Sequence, residues 1–240
     1  MAKVRDFTSG LTHCIGAVLA LAGMVVLIVF AAIWGDGYDV VSFTIFGIGL
    51  FLLYLFSTLY HWLNISQKGI NVFRKFDHIM IYILIASSYT PICLGPLRGP
   101  WGWSIFGILW GFAILGTIFS SIWIKAPRAL TTTIYLIMGW MGIVAIYPIV
   151  TTLKDANLLN GIWWLVACGI FYTIGGIIYW LKIPKTKWKD FGFHEIFHIF
   201  VMLRKREPLL VCVTICFETV VFNIVKWSTS AKSTPFYFIS

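Results

Sequence analysis

Cys14–Trp34 reads CIGAVLALAGMVVLIVFAAIW and contains no charged residue. A helix of about 20 residues rises about 30 Å, the thickness of a bilayer's hydrocarbon core. Working outward, the same pattern recurs at Val40–Tyr60, Ile79–Leu97, Trp101–Ile124, Ala129–Leu153 and Ala156–Leu181. The whole chain of 240 residues is 60% hydrophobic and 11% charged. Soluble domains are nearer half apolar and a quarter charged, so the composition indicates a membrane protein. The first run is longer than the apolar core of a signal peptide and more spans follow it, so it is read as a retained helix.

The formal charge of +9 does not point to nucleic acid, because lysine and arginine sit between the runs, where they set topology. Lys3, Arg5, Lys68, Arg74, Lys75, Lys125, Arg128, Lys182, Lys185, Lys187 and Lys189 fall on one side, and only Arg98 and Lys154 on the other. The positive-inside rule places the N-terminus and the even-numbered loops in the cytoplasm. Cys14, Cys93, Cys168, Cys212 and Cys216 are scattered, without a paired motif, and read as small apolar packing residues. Trp34, Trp62, Trp101, Trp103, Trp123 and Trp188 fall near span ends, as interfacial anchors do. Gly47, Gly49, Gly175 and Gly176 read as sites of close helix packing, and Pro91 and Pro148 as kinks in spans three and five. Gly95-Pro96 and Gly99-Pro100 mark the turn after span three.

On this map every histidine lies at the cytoplasmic end of its helix. His13 opens span one, His61 closes span two, His78 opens span three, and His194 and His198 open a seventh segment. His194 and His198 are spaced i, i+4 and share a helix face, as two ligands of one metal do. With His61 they offer three imidazoles, the number usual for catalytic zinc. Asp77, at the cytoplasmic start of span three, is placed to hold or deprotonate a water on that metal. Ser57, four residues before His61, shares its helix face and is placed to donate to a developing oxyanion. His13 and His78 belong to no spaced pair and are read as interfacial side chains with wet tips.

Thr12-His13, Ser57-Thr58-Leu59-Tyr60-His61, Phe76-Asp77-His78 and His194-Glu195-Ile196-Phe197-His198 together resemble the hemolysin III family, the bacterial branch of the progestin and adiponectin receptor group. The resemblance covers residues from about 5 to 203. It implies an all-α bundle of seven transmembrane helices with a zinc ion facing the cytoplasm. Its ligands would be His61, His194 and His198, with Asp77 and Ser57 beside them. The related alkaline ceramidases cleave lipid amides, whereas the bacterial branch is associated with cytolysis and with membrane-lipid homeostasis.

His194–His198 also satisfies H-E-x-x-H, in which Glu195 would be the general base of a metalloprotease. The downstream ligand positions of a metzincin are Val201 and Arg204, which cannot bind zinc. Glu218 would be the remaining ligand, beyond the charged stretch Arg204-Lys205-Arg206-Glu207-Pro208, so this reading is the weaker one.

The seventh helix departs from the pattern. Phe191–Leu203 rises only about 20 Å, short of the roughly 30 Å core, before four charges and a proline arrive. Charges at the bilayer centre cost on the order of 2.5–3.5 kcal/mol each. Either Leu209–Val225 forms a separate apolar helix, or the tail after Leu203 results from a reading-frame change, which is the account favoured here. Residues 1–225 are expected to form one membrane domain and 226–240 a disordered tail.

The expected protein is therefore a zinc-dependent multi-pass protein of the bacterial cytoplasmic membrane, its site near the cytoplasmic face. Membrane lipids are its partners and nucleic acid is not. The expected chemistry is hydrolysis of a lipid amide or ester, with Asp77 accepting the proton and Ser57 steadying the oxyanion. The alternative is non-enzymatic cytolysis or lipid sensing around a structural zinc.

Overall fold

The computed structural model describes residues 7–123 and 126–155, together with the helical positions 166, 169, 170, 173, 174 and 177. Among the described residues all regular structure is helical: α1 (Phe7–Trp34), α2 (Gly37–Trp62), α3 (Gln67–Leu94), α4 (Pro100–Ile122), α5 (Arg128–Gly139), a 3-10 turn (Trp140–Ile143) and α6 (Ile146–Asp155). Four helices among the described residues, α1 to α4, are long and apolar enough to cross a membrane. A fifth span results if the pair Ala129–Ile143 and Ile146–Thr152, bent by 42°, is counted as one. The expected sixth span, the seventh segment and the tail lie largely or wholly outside the described residues.

Short connections force antiparallel neighbours. Asp36 caps α2, its carboxylate accepting from the amides of Tyr38 (2.8 Å) and Asp39 (3.1 Å), while Asp39 Oδ2 accepts from the Asp36 amide (3.0 Å). Ser66 caps α3. The α3–α4 corner follows the expected Gly-Pro signals: Gly95 ends α3, Gly99 takes φ +148°, a region open to glycine, and Pro100 starts α4 with φ already preset. α3 begins at Gln67, twelve residues before the apolar run at Ile79, because its polar first turns continue the helix beyond the apolar zone.

Two cores hold the bundle. One joins α1 to α2 through Ala17, Ala20, Leu27 and Ala31 against Phe43, Phe46, Leu50 and Tyr54. The other joins α3 to α4 and the bent fifth segment through Tyr82, Leu109, Tyr135 and Met138. The expected packing role of Gly47 and Gly49 holds: a Cβ on either would strike Met24 or Ser87 at under 2.5 Å. Gly175 and Gly176 lie outside the described residues. The outward faces are apolar, Leu115 being 63% and Ile122 80% exposed, as helices facing lipid require.

Pro91 does not break α3, which continues to Leu94 and is closed by the Gly95 amide donating to the Pro91 carbonyl. The break in span five precedes Pro148, whose missing N–H and bulky ring disrupt the turn before it. Just before that break, Tyr89 bridges the passage from α5 into the 3-10 turn. Its hydroxyl donates to the Gly139 carbonyl and accepts from the Gly142 amide (3.2 Å).

Candidate functional site

The end of α2 meets the starts of α1 and α3 at one end of the bundle. Trp62 Nε1 donates to the Phe7 carbonyl (3.3 Å), and the Trp62 and Phe7 rings stack at 6.5 Å. Phe56 on α2 stacks on Phe76 of α3 at 4.7 Å and 14°. That stack holds the end of α2, which carries Ser57, against the start of α3, which carries Asp77. The end of α4 joins them, its Ser121 carbonyl accepting from Lys75 Nζ (2.9 Å).

α2 turns a polar stripe inward here. Ser57 is 3% exposed and His61, one turn on, 5% exposed, with Thr58 and Tyr54 buried beside them. The Thr58 hydroxyl donates to the Tyr54 carbonyl (2.8 Å), so it adds a polar side chain without an unmatched donor. Asp77 is partly exposed, 3.8 Å from His78 Nδ1, which itself donates to the Arg74 carbonyl (2.8 Å). His78 is thus tied to its own helix, consistent with an interfacial side chain.

His13 differs from the expectation of a wet-tipped bystander. It is 5% exposed, and its ring stacks on His61 with centroids 5.9 Å apart and planes 24° apart. Its sequence did carry a signal. Ser9, Gly10, His13, Gly16, Ala17 and Ala20 recur at helical spacing, a small-residue stripe that marks the packed face of α1.

These features bear on whether the donor set suits zinc. Neutral imidazole nitrogen is a good zinc donor, and the buried Nδ1 atoms of His13 and His61 are shielded from competing water. A hydroxyl and a carboxylate stand on adjoining helices, as supporting groups of such a site do. Among the described residues no group of three His, Cys, Asp or Glu side chains gathers around one point. His194 and His198, the other two expected ligands, lie outside the described residues. What is described fits a nitrogen-donor zinc site to the extent of one buried imidazole and its polar neighbours.

A family model described as Haemolysin-III related matches residues 1–204. The chain belongs to this family. The Haemolysin-III related chain is 40% identical over 199 residues to the "Hemolysin-3 homolog" of Bacillus subtilis, covering 82% of this chain and 88% of that one. It is also 40% identical to the "Hemolysin-3" of Bacillus cereus over 199 residues, 82% of this chain and 85% of that one. A more distant match is the human "Monocyte to macrophage differentiation factor", 28% identical over 202 residues, 79% of this chain and 75% of that one. Family membership and the apolar helices together make this Haemolysin-III related chain a multi-pass membrane protein. The family match stops at residue 204, where the sequence turns to Arg204-Lys205-Arg206.

Proposed function

We propose that this protein binds zinc in the plasma membrane, with its N-terminus and its site on the cytoplasmic side, and hydrolyses a lipid amide or ester. The observation that carries the reading is the burial of His61 and Ser57 one turn apart on α2, which packs by its end against the start of α3 that carries Asp77, in a chain of this family. His61, His194 and His198 would hold the metal, which supplies Lewis-acid polarisation of a carbonyl and acidifies water. Asp77, partly exposed at the helix end, takes the proton of the attacking water on its carboxylate oxygen. Ser57 Oγ, on the face of His61, donates to the oxygen on which negative charge develops. The polar side chains of the site lie at a bundle end that still carries exposed apolar residues such as Phe7 and Ile122, which suits a substrate with acyl chains in lipid and a polar linkage beside them.

Purified protein presented with a labelled ceramide-like lipid tests this. Turnover is expected in the wild type. Loss of at least about 100-fold is expected in Asp77→Asn, which keeps its zinc. Undiminished turnover in Asp77→Asn contradicts the assigned role. The name of the Bacillus cereus relative, "Hemolysin-3", supports a second reading: lysis of cells by a protein whose zinc is structural. Erythrocyte lysis that persists in His61→Ala would separate lysis from the zinc site.

A further inference from the structure

His13 is clamped. Tyr54 and His61 lie i, i+7 on α2, so both face α1, and the His13 ring sits against both. The Tyr54 contact is at 5.7 Å and 59°, and the His61 contact at 5.9 Å and 24°. The residues one turn to either side let the helices close on that ring. A Cβ at Gly10 would come within 1.9 Å of Trp62, and one at Gly16 within 2.8 Å of Tyr54. Thr12 folds away, its hydroxyl donating to the Ser9 carbonyl (2.9 Å). The His13 and His61 ring planes lie 24° apart and Tyr60 packs edge-on to His61 at 5.0 Å, so two rings restrict the His61 ring about χ2, the torsion that otherwise varies broadly in histidine.

A metal ligand must be held within about 10–20° of its productive direction, most often by a hydrogen bond from a supporting group. Here a ring face on α1 adds to what holds His61. We propose that His13 is a positioning residue that orients the His61 imidazole by ring packing and thereby couples α1 to the metal site. This rests on reading His61 as a metal ligand.

The test loads the full-length, detergent-purified protein with Co2+ in place of zinc and records its visible ligand-field spectrum and its dissociation constant. His13→Phe keeps a ring, while His13→Leu keeps apolar volume without one; thermal melts establish that each variant is folded. The wild type and His13→Phe should share one spectrum. His13→Leu should still take up Co2+, with a shifted spectrum and about 10-fold weaker binding. Should His13→Phe not fold, the comparison of His13→Leu with wild type still decides. A Leu variant with the wild-type spectrum and affinity overturns the positioning role while leaving the metal reading intact. No Co2+ uptake by folded wild type overturns the metal reading and the positioning role together.

Discussion

At Gly102 the backbone of α4 passes so close to the end of α3 that a Cβ would lie 2.2 Å from the Cys93 carbonyl and 2.4 Å from that of Leu97. Backbone carbonyls cannot rotate aside as a side chain can, and the Gly102 amide is itself bonded to Leu97 (3.1 Å). Gly102→Ala should therefore lower stability by about 1–3 kcal/mol, the usual range for overpacking. Gly107 and Gly111 on the same helix meet nothing within 4 Å, so alanine there should instead stabilise by up to about 1 kcal/mol. Unfolding in mixed detergent micelles measures all three, and equal effects would contradict the close approach. The sequence does not distinguish these glycines, since the difference lies in which carbonyls the α3–α4 corner brings back upon α4. For the site, the sequence points to Ser57, His61 and Asp77 by the bundle end they share, and the structure buries Ser57 and His61 on α2, which packs against α3. The sequence does not pair His13, which has no spaced histidine partner in its own helix; its partner comes from α2.

Among the elements, the apolar runs predicted the middles of α1 to α4 and left their ends open. Hydropathy senses the bilayer, whereas helix ends follow caps such as Asp36 and Ser66. The fifth run contains its proline in plain view, but not the Tyr89 hydroxyl that bridges the turn just before the break. Tyr89→Phe strips a partner from two backbone groups of that turn and should cost about 1–3 kcal/mol, with faster amide hydrogen exchange confined to residues 139–146. Unchanged exchange there would contradict the bridging role. At the opposite end, Arg98 Nη1 donates to Asp36 Oδ2 (2.7 Å) and its guanidinium lies 4.7 Å from the centre of the Tyr38 ring. Burial raises the Asp36 pKa, but the hydrogen bond and charge of Arg98 and the amides of Asp39 and Tyr38 outweigh it and hold the carboxyl below its ordinary 3.8. A depressed folded value means that the contribution to stability is present above the ordinary value and is lost as pH falls through the folded one. The wild type should lose stability in that acid range, and Arg98→Gln should show a weaker dependence; identical pH profiles would contradict the pairing.

On the scale of the whole molecule, the charge map and the helix ends agree about which residues share an end. Lys75, with the start of α3, meets the end of α4, while Asp36 and Arg98 meet at the other end. The positive-inside reading turns this grouping into an orientation. Alkaline phosphatase fused after Gly35 or Arg98 should be active, and fused after Lys68 inactive; the inverse pattern would contradict an N-terminus in the cytoplasm. Zinc content of detergent-purified protein, wild type beside His61→Ala and His194→Ala, tests the central claim most directly. The account predicts about one zinc per chain in the wild type and its loss in both variants. A folded wild type without zinc, or variants that keep it, would contradict the assignment of His61 and His194 to one metal site.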